Sequence, residues 1–405
     1  MTGFDIEDFV RKHMTHRRES LLKPDFARFD GELRERIGGK RILVVGGAGT
    51  IGSNYVKAAL RFSPAAVCVV DIDENSLTEL TRELRASPFF TKALDNIEYV
   101  TEPIDLGSDL FRRFFEAKGP FDIVANFAAR KHVRAERDIY SIEAMCETNV
   151  FMAKRLLDLL AENPPEAFFC VSTDKAANPV NVMGATKKLM EEAIMAYAGT
   201  IPVKTARFAN VAFSNGSLPL GWLNRISKRQ PLSCPMGIRR FFVSPVESGE
   251  LCLAASALAD SGDIVYPKLD ENRDMIAFDQ VVRDMLDYMG LGCRACSSTG
   301  EAQAAMADVS SGYPVEFFGS DTSGEKTFEE FHTLADVCDE TKFANLGVVK
   351  NAKRRVAKEV EAIIESLRAA FLRPGATKAD IVGVLGEYLP DFRHIEKGKS
   401  LDGRM

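Results

Sequence analysis

The chain has 405 residues, of which 46% are hydrophobic, and a formal net charge of −6 at pH 7. That length can bury a substantial core in one large or two smaller globular units, and the acidic balance argues against nucleic acid or an anionic membrane as the main partner. No run reaches the ~20 apolar residues that cross a bilayer, and the N-terminus lacks the apolar segment of a signal peptide, so we expect a cytoplasmic protein.

The first 36 residues are charged, with apolar residues at helical spacing, and predict a helical N-terminal extension (1–36). From Lys40 onward, strand and helix patterns alternate. The predicted helices run to Leu60, over Ser76–Leu84, and near 141–162 and 182–198. The predicted strands are Arg41–Val45, Ala66–Val70, Ile97–Thr101, Ile123–Ala125, Ala167–Val171 and Val203–Arg207. This alternation over 37–209 predicts an α/β fold with a doubly wound parallel sheet, which binds dinucleotides at the carboxyl ends of its strands.

After Asn210 the alternation breaks down, and Gly, Pro and Ser become frequent. We interpret 210–345 as a smaller substrate-binding region, and its segment 292–313, which is low in bulky apolar residues, as a mobile loop. The remainder, 346–405, is predicted to be a helical tail with a second helical turn from Thr377 to Pro390. Its first helix places these apolar residues on one face: Val356, Val360, Ile363, Ile364, Leu367 and Phe371.

The eight cysteines are scattered along the chain. Cys68, Cys170 and Cys252 lie in apolar runs, which is typical of buried, reduced thiols in a cytoplasmic protein. Cys293 and Cys296 form a CxxC pair without a second pair or nearby histidines. This is weak evidence for a metal, and we predict none.

A glycine-rich turn, GGAGTIG at 46–52, directly follows the first predicted strand and opens a helix. Glycines there allow the backbone to approach a pyrophosphate, whose charge lies at the helix N-terminus. A glycine pattern alone also suits an ordinary tight turn, but Asp71 ends the second strand, where an acid binds the ribose hydroxyls. The residues expected to contact the pyrophosphate are Gly46, Gly49, Thr50, Ile51 and Gly52.

Further cofactor contacts are expected after the third and fourth strands. Asp105 and Leu106 follow the third strand and are candidates for adenine contacts, and the small residues Ala128 and Ala129 follow the fourth.

The residues at the end of the second strand bear on cofactor choice. Asp71, Asp73 and Glu74 surround the ribose position with negative charge, and Ile72 stands where an arginine would favour a 2′-phosphate. The predicted cofactor is therefore NAD, with NADP as the alternative.

The GxxGxxG spacing resembles that of the extended short-chain dehydrogenase/reductases. The run VSTDKAANPVNVMGATK at 171–187 resembles the STDKAxNPxNxMGATK signature of nucleotide-sugar 4,6-dehydratases of polysaccharide biosynthesis, the CapD-like group that acts on UDP-N-acetylglucosamine. The resemblance covers about 40–345. Supporting matches lie at Lys131-His132-Val133, 147–150, Arg240-Phe241-Phe242 and Gly324-Glu325-Lys326.

The resemblance implies a reaction in which hydride leaves sugar C4 for NAD, a base removes the C5 proton, an acid protonates the departing C6 hydroxyl and the hydride returns to C6. Thr173, Asp174 and Lys175 follow the fifth strand, where cofactor and substrate would meet. Asp174 can serve as the acid if burial raises its pKa, and Lys175 as the base if desolvation or a neighbouring lysine lowers its pKa. The alternative is a surface Asp-Lys turn.

Met183 and Lys187 are one helical turn apart and share a face. In most of the broader family this pair is tyrosine and lysine, and the lysine holds the nicotinamide ribose. Met183 cannot transfer a proton, but the dehydratase group commonly has methionine here. Asp174, acting through Thr173 or a water, is then the candidate acceptor of the C4 hydroxyl proton, which argues against a simple C4 epimerase.

Substrate contacts are implied by the resemblance. His132 is either a ligand or a structural histidine, and Arg240 either a phosphate partner or a surface arginine. Relatives usually have Arg-Pro-Gly-Glu-Lys where this chain has Thr322-Ser323-Gly324-Glu325-Lys326, which leaves the nucleotide and sugar open. The candidates for binding the nucleotide-diphosphate sugar are Lys131, Met183, Asn210, Ser214, Asn215 and Arg240.

Alternatives to the dehydratase are a nucleotide-sugar epimerase, a net NAD-dependent dehydrogenase and a non-enzymatic NAD-binding protein. The N-terminal arm and the helical tail also make us expect a homo-oligomer.

Overall fold

A computed structural model describes residues 3–319 and 329–396. Its main sheet has nine strands in the order β14-β15-β10-β6-β5-β4-β1-β2-β3, and two three-stranded sheets, β11-β9-β7 and β12-β13-β8, lie outside it. The strands are β1 Arg41–Val45, β2 Ala66–Asp71, β3 Glu98–Pro103, β4 Ile123–Asn126, β5 Ala167–Val171, β6 Val203–Ala206, β7 Asn210–Val211, β8 Leu232–Met236, β9 Arg239–Val243, β10 Ile264–Pro267, β11 Met275–Ala277, β12 Cys293–Cys296, β13 Tyr313–Gly319, β14 Cys338–Asp339 and β15 Leu346–Val349.

Helices cover both faces of the main sheet and build the two ends of the chain. Short π-helical turns lie at Val10–Met14 and Glu147–Phe151, and 3-10 turns at Val133–Arg137 and Asp174–Ala176. The α-helices are α1 Ile6–Phe9, α2 Lys23–Arg28, α3 Asp30–Ile37, α4 Thr50–Leu60, α5 Glu74–Ala86, α6 Pro88–Leu94, α7 Asp109–Lys118, α8 Ile139–Cys146, α9 Met152–Glu162, α10 Val182–Met195, α11 Leu218–Ser227, α12 Pro245–Leu258, α13 Glu271–Asp274, α14 Phe278–Tyr288, α15 Thr299–Ala305, α16 Ala357–Leu372 and α17 Lys378–Tyr388.

The α/β fold predicted from the sequence is confirmed. Within the main sheet, the neighbouring strands β10-β6-β5-β4-β1-β2-β3 all pair in parallel. The central strands of this run are apolar because helices cover both faces of the sheet. The sheet is nevertheless mixed and not wholly parallel as predicted, since β15 pairs antiparallel with both β10 and β14. Strands β10, β14 and β15 also extend the sheet with residues that follow Asn210, so strand and helix continue to alternate there.

The predicted mobile loop at 292–313 is wrong. This segment forms β12, α15 and the start of β13, and β12 and β13 pair in parallel. Helix α15 begins after Ser298, whose side chain accepts a hydrogen bond from the Glu301 N–H, and it buries only the small residues Ala302 and Ala305. The low bulk that suggested a loop reflects a helix packed through alanines.

Both ends of the chain pack on the α/β body. The Arg17 guanidinium donates to both carboxylate oxygens of Glu247 at 2.8 Å. Helices α16 and α17 share an apolar cluster with α8 and α10. Beyond α17, the backbone N–H groups of Arg393 and Ile395 donate to the carbonyls of Pro179 and Val180, at 3.1 and 3.0 Å. The C-terminal helices therefore belong to the same packed structure as α10.

Helices α4 and α12 pack closely at Gly249, where a Cβ atom would lie 2.3 Å from the Asn54 carbonyl carbon. We expect Gly249→Ala to lower the free energy of unfolding by about 1–3 kcal/mol through overpacking, as measured by urea denaturation. The matched control is Gly383→Ala in α17, where a Cβ would meet no atom within 4 Å. This control should be neutral or stabilising by up to about 1 kcal/mol. Equal effects would contradict the close packing.

Candidate active site

The glycine-rich turn lies where the order of the main sheet reverses, with β1 between β2 and β4. Gly46 has φ +69°, and a Cβ there would lie 2.5 Å from the Ala128 backbone nitrogen. Gly49 precedes α4 and gives it no side-chain cap, and a Cβ on it would meet only the Gly46 carbonyl oxygen, at 3.5 Å. The first N–H groups of α4 thus begin beside open space, which fits a bound pyrophosphate.

Asp71 lies beside this turn at the end of β2. Its carboxylate accepts hydrogen bonds from the Ala48 N–H at 3.0 Å and the Asp73 N–H at 3.1 Å. Ile72, the next residue, is 74% exposed, and no basic side chain follows Asp71 directly. This arrangement fits the ribose of a dinucleotide without a 2′-phosphate.

The loops after β3 and β4 continue the same edge of the sheet. Asp105 is exposed and accepts from the Gly107 N–H at 2.8 Å, while Leu106 is buried. Ala128 donates its N–H to the Asn126 side chain at 3.0 Å, and Ala128 and Ala129 are both partly buried. The residues predicted for the two halves of a dinucleotide therefore lie along one edge.

Asn149 is a residue of this edge that the sequence analysis did not single out. It lies in the π-helical turn at Glu147–Phe151, and its amide exchanges hydrogen bonds with the Arg130 backbone at 2.9 and 3.0 Å. It also donates to the Thr186 hydroxyl at 3.0 Å. Asn149 thus links the loop after β4 to α10. The supporting match at 147–150 contained this signal.

Thr173, Asp174 and Lys175 form a compact group after β5. Asp174 is 3% exposed, so the alternative of a surface turn is wrong. Its carboxylate accepts from the Thr173 hydroxyl at 2.7 Å and from the Lys175 ammonium at 3.1 Å. The structure thus places a carboxylate, a hydroxyl and an ammonium group side by side at the carboxyl end of β5.

The expected direction of the Lys175 pKa is wrong. Burial alone would lower this pKa, but the carboxylates of Asp174 and Glu329 outweigh burial and raise it above its ordinary value. Asp174 is the residue before Lys175 in the sequence, and its negative charge opposes the effect of burial on the Lys175 pKa. Lys175 is therefore charged in this state, and any role as a base requires that it first lose a proton.

Met183 and Lys187 both lie in α10 and are almost fully buried. The Lys187 ammonium donates to the Val171 carbonyl at 2.6 Å, and desolvation lowers its pKa. The Met183 N–H donates to the buried Glu136 carboxylate at 3.2 Å. Lys187 thus reaches the end of β5, next to Thr173.

The segment after β7 carries the predicted substrate residues Ser214 and Asn215 and is hydrogen-bonded to Thr50, in the glycine-rich turn at 46–52. The Asn215 N–H donates to the Thr50 hydroxyl at 2.9 Å, and the Lys131 ammonium donates to the Ser214 hydroxyl at 3.5 Å. The Lys131 side chain is exposed overall, but desolvation around its ammonium still lowers its pKa. His132 lies against Gly216, where a Cβ atom would be 2.7 Å from the imidazole ring.

Glu329 joins this group and was missed by the sequence analysis. Its buried carboxylate accepts from the Asn210 side chain at 2.6 Å and from the Phe241 N–H at 2.8 Å, and the Arg240 Nε lies 3.8 Å away. Burial, with a contribution from the Asp174 charge, raises the pKa of Glu329 to about 7. The Thr322–Lys326 run, which precedes it in the sequence, lies outside the described residues.

A buried ion pair between Arg207 and Glu191 is hydrogen-bonded to Ser172, the residue before the Thr173–Lys175 group. Arg207 is 1% exposed and donates to both Glu191 oxygens, at 2.9 and 2.7 Å. Glu191 also accepts from the Ser172 hydroxyl at 2.6 Å. Desolvation favours the neutral acid, but Arg207 holds the pKa of Glu191 below its ordinary value. The carboxyl end of β5 is therefore attached to α10 through a charged network.

With the geometry established, the chain can be compared with known proteins. A family model described as "Polysaccharide biosynthesis protein" matches residues 42–351, more than half of the chain. The chain belongs to this polysaccharide biosynthesis protein family. The resemblance inferred from the 171–187 run is thereby confirmed.

Relatives within and around this family include proteins of different kinds. The chain is 33% identical over 257 residues to the uncharacterized membrane protein MJ1061 of Methanocaldococcus jannaschii, covering 62% of this chain and 73% of the relative. It is 30% identical over 252 residues to the capsular polysaccharide biosynthesis protein CapD of Staphylococcus aureus, covering 61% of this chain but only 41% of the relative. A UDP-N-acetylglucosamine 4,6-dehydratase (inverting) of Campylobacter jejuni is 28% identical over 242 residues, 57% of this chain and 67% of that enzyme.

Solved structures support the fold. Pen from Bacillus thuringiensis matches 83% of this chain and 99% of its own, with 22% identity and a TM-score of 0.62. The dTDP-glucose 4,6-dehydratase DesIV from Streptomyces venezuelae matches 81% of this chain and 98% of its own, with 20% identity and a TM-score of 0.55. This chain and these two neighbours thus share one α/β architecture.

Among residues 3–319 and 329–396, no helix is long and apolar enough to cross a membrane. Within the same ranges, no group of three or more His, Cys, Asp or Glu side chains is placed to hold a metal ion.

Proposed function

We propose that this protein is a nucleotide-sugar 4,6-dehydratase that uses NAD and acts on a substrate resembling UDP-N-acetylglucosamine. The observation that carries the proposal is the hydrogen-bonded pair formed by buried Asp174 and partly buried Lys175. Helix α10, which carries Lys187, has Met183 where a proton-transferring tyrosine stands in the broader family. The Campylobacter jejuni dehydratase, whose name states this activity, is among its relatives.

The residues divide the reaction between them. Bound NAD would supply the hydride acceptor and donor, held at its pyrophosphate by the 46–52 turn and at its nicotinamide ribose by Lys187. Asp174, hydrogen-bonded to Thr173, takes the proton of the C4 hydroxyl and later delivers one to the departing C6 oxygen. Lys175, once it has lost a proton, removes the proton from C5. An acid and a base 3.1 Å apart can serve neighbouring sugar carbons without large movement.

The second candidate is a C4 epimerase, because a UDP-glucose 4-epimerase of Rickettsia conorii is 29% identical over 235 residues. The thioether of Met183 has no proton to give or take, which disfavours this chemistry. The two reactions also differ at C5. Only dehydration transfers the C5 proton to a protein side chain, whose protons then exchange with those of water.

The test is to incubate the protein with NAD and UDP-N-acetylglucosamine in deuterated water and analyse the nucleotide sugar by mass spectrometry and NMR. Dehydration predicts loss of one water and one deuterium at C5, with no accumulation of NADH. An unchanged mass with inverted C4 would replace the proposal with the epimerase, and accumulating NADH with a net dehydrogenase. Binding of NAD without turnover of any UDP-, GDP- or CDP-sugar would indicate a non-enzymatic NAD-binding protein.

Asp71 gives a prediction about cofactor choice. Asp71→Asn should weaken NAD binding about 10–100-fold, because it replaces a charged acceptor of the ribose hydroxyls by a neutral one. NADP binding should weaken less, since repulsion of the 2′-phosphate is relieved at the same time. Calorimetric titration with both cofactors measures this change in preference. Asp95→Asn, which alters the carboxylate paired with Arg85, is the control and should change neither affinity.

A further inference from the structure

The two residues that follow Glu329 contact neighbours of the Thr173–Lys175 group at two points. The Glu330 carboxylate accepts from the Asn178 side chain at 3.0 Å. The Phe331 carbonyl accepts from the Arg207 guanidinium at 2.9 Å, and Arg207 binds the same Glu191 that accepts from Ser172. Glu329 is thus held against the catalytic group by contacts on its C-terminal side, independently of its own carboxylate.

Four charged side chains of the described residues come together at this point. Lys175 and Arg240 are cations, and Asp174 and Glu329 are carboxylates. Lys175 is hydrogen-bonded to Asp174, whereas the two hydrogen bonds of Glu329 come from the neutral amides of Asn210 and Phe241. If Lys175 loses a proton while Glu329 is ionised, the buried carboxylates of Asp174 and Glu329 lose a cation that stabilises both of them, which is unfavourable.

We propose that Glu329 is a positioning residue that controls the charge of Lys175. While its carboxylate is ionised, Lys175 keeps its proton, and when Glu329 binds a proton, Lys175 releases its own more readily. The proton count is conserved, because one proton leaves the Lys175 ammonium for solvent and one proton from solvent neutralises the Glu329 carboxylate. The catalytic consequence of this control rests on the proposed dehydratase function.

Two pKa shifts are consistent with this coupling. Burial raises the pKa of Glu329 to about 7, so Glu329 gains and loses its proton near neutral pH. The pKa of Lys175 is lowered by burial and raised by Asp174 and by Glu329, with a net rise. The charged groups that face the two residues are Asp174, on the turn after β5, and Arg240, on β9.

The test compares Glu329→Gln with Glu330→Gln, a matched change in the neighbouring residue. In Glu329→Gln the acid limb of the pH profile of kcat should move to lower pH by about one unit, because a negative charge near Lys175 is removed. Glu330→Gln should leave the limb in place. Glu329→Asp, which keeps the charge, should retain the limb near its wild-type position. A limb that does not move in Glu329→Gln, whatever its rate, would show a merely structural role and overturn the proposal.

A second measurement does not need turnover. The protein is labelled with ¹³C at lysine Cε, and the Lys175 resonance is assigned by its disappearance in Lys175→Arg. The chemical shift of this resonance is then followed as a function of pH in the presence of NAD. Its midpoint should be lower in Glu329→Gln than in the wild type and unchanged in Glu330→Gln. Equal midpoints in wild type and Glu329→Gln would overturn the proposal even if dehydration is confirmed. Failure to dehydrate any nucleotide sugar would instead remove the proposed function, and the titration would still decide the coupling.

Discussion

Lys175→Ala is expected to lower the rate of water loss from the nucleotide sugar by about 10²–10⁴-fold, the usual contribution of a positioned acid or base. Lys175 is the cation nearest to Asp174, with its Nζ 3.1 Å from that carboxylate, and no other described lysine is hydrogen-bonded to Asp174. Binding of NAD should be unchanged, because Lys175 is not among the proposed cofactor contacts, which include the 46–52 turn, Asp71 and Lys187. Initial rates by mass spectrometry and calorimetric titration of NAD measure the two effects.

Two further variants make this result specific. Lys175→Met keeps the length of the side chain but not its charge and should be as inactive as Lys175→Ala, which separates loss of the base from loss of packing. Lys358→Ala, on the exposed side of α16, should retain full activity. If Lys175→Ala turned over the sugar at the wild-type rate, another residue would have to remove the C5 proton.

Glu191→Ala is expected to lower the free energy of unfolding by about 3–5 kcal/mol, because the buried Arg207 guanidinium loses the carboxylate that accepts two of its hydrogen bonds and keeps only the Asp336 carboxylate, 3.7 Å away. Arg207 is 1% exposed, so water cannot replace the lost hydrogen bonds. Urea denaturation at neutral pH measures the change. Activity should also fall, because the Ser172 hydroxyl loses the acceptor that holds the end of β5.

An exposed ion pair supplies the control for this prediction. Arg112 and Glu116 pair on α7 at 2.9 Å, and both side chains are more than half exposed, so Glu116→Ala should cost less than about 1 kcal/mol. The double variant Glu191→Leu with Arg207→Leu should recover part of the stability lost in Glu191→Ala, since it removes the unpaired charge. A cost for Glu191→Ala no larger than that of Glu116→Ala would mean that the buried pair does not stabilise the fold.

The central part of the fold could be predicted from the sequence. Strands β1 and β5 have the predicted bounds, because parallel strands covered on both faces are short apolar runs that end at polar or glycine residues. The glycine-rich turn at 46–52 and the Thr173–Lys187 stretch could be recognised in the sequence for a related reason. Their residues are close in the sequence, so spacing alone indicates their geometry.

Features that depend on distant contacts could not be predicted. Glu329 is held in the site by a hydrogen bond that its carboxylate accepts from the Asn210 side chain, 119 positions away in the chain. It then contributes to the pKa of Lys175, and no local pattern carries that information. The antiparallel return of β15 similarly depends on its pairing with β10. The strand and helix at 293–305 were missed for a different reason, since a helix that packs through alanines lacks the bulky periodicity used to recognise one.

The C-terminal helices change how the protein can be divided. The family model matches the chain only as far as residue 351, yet α16 and α17 pack on the helix that carries Met183 and Lys187, and the N–H groups of residues 393 and 395 donate to the carbonyls of 179 and 180. A recombinant fragment trimmed to the matched range would expose the apolar side of α10 to water and remove the hydrogen bonds that hold the loop before α10. The unit to express, tag or transplant therefore extends to at least 396, and the boundary seen in sequence comparison passes through a hydrophobic core.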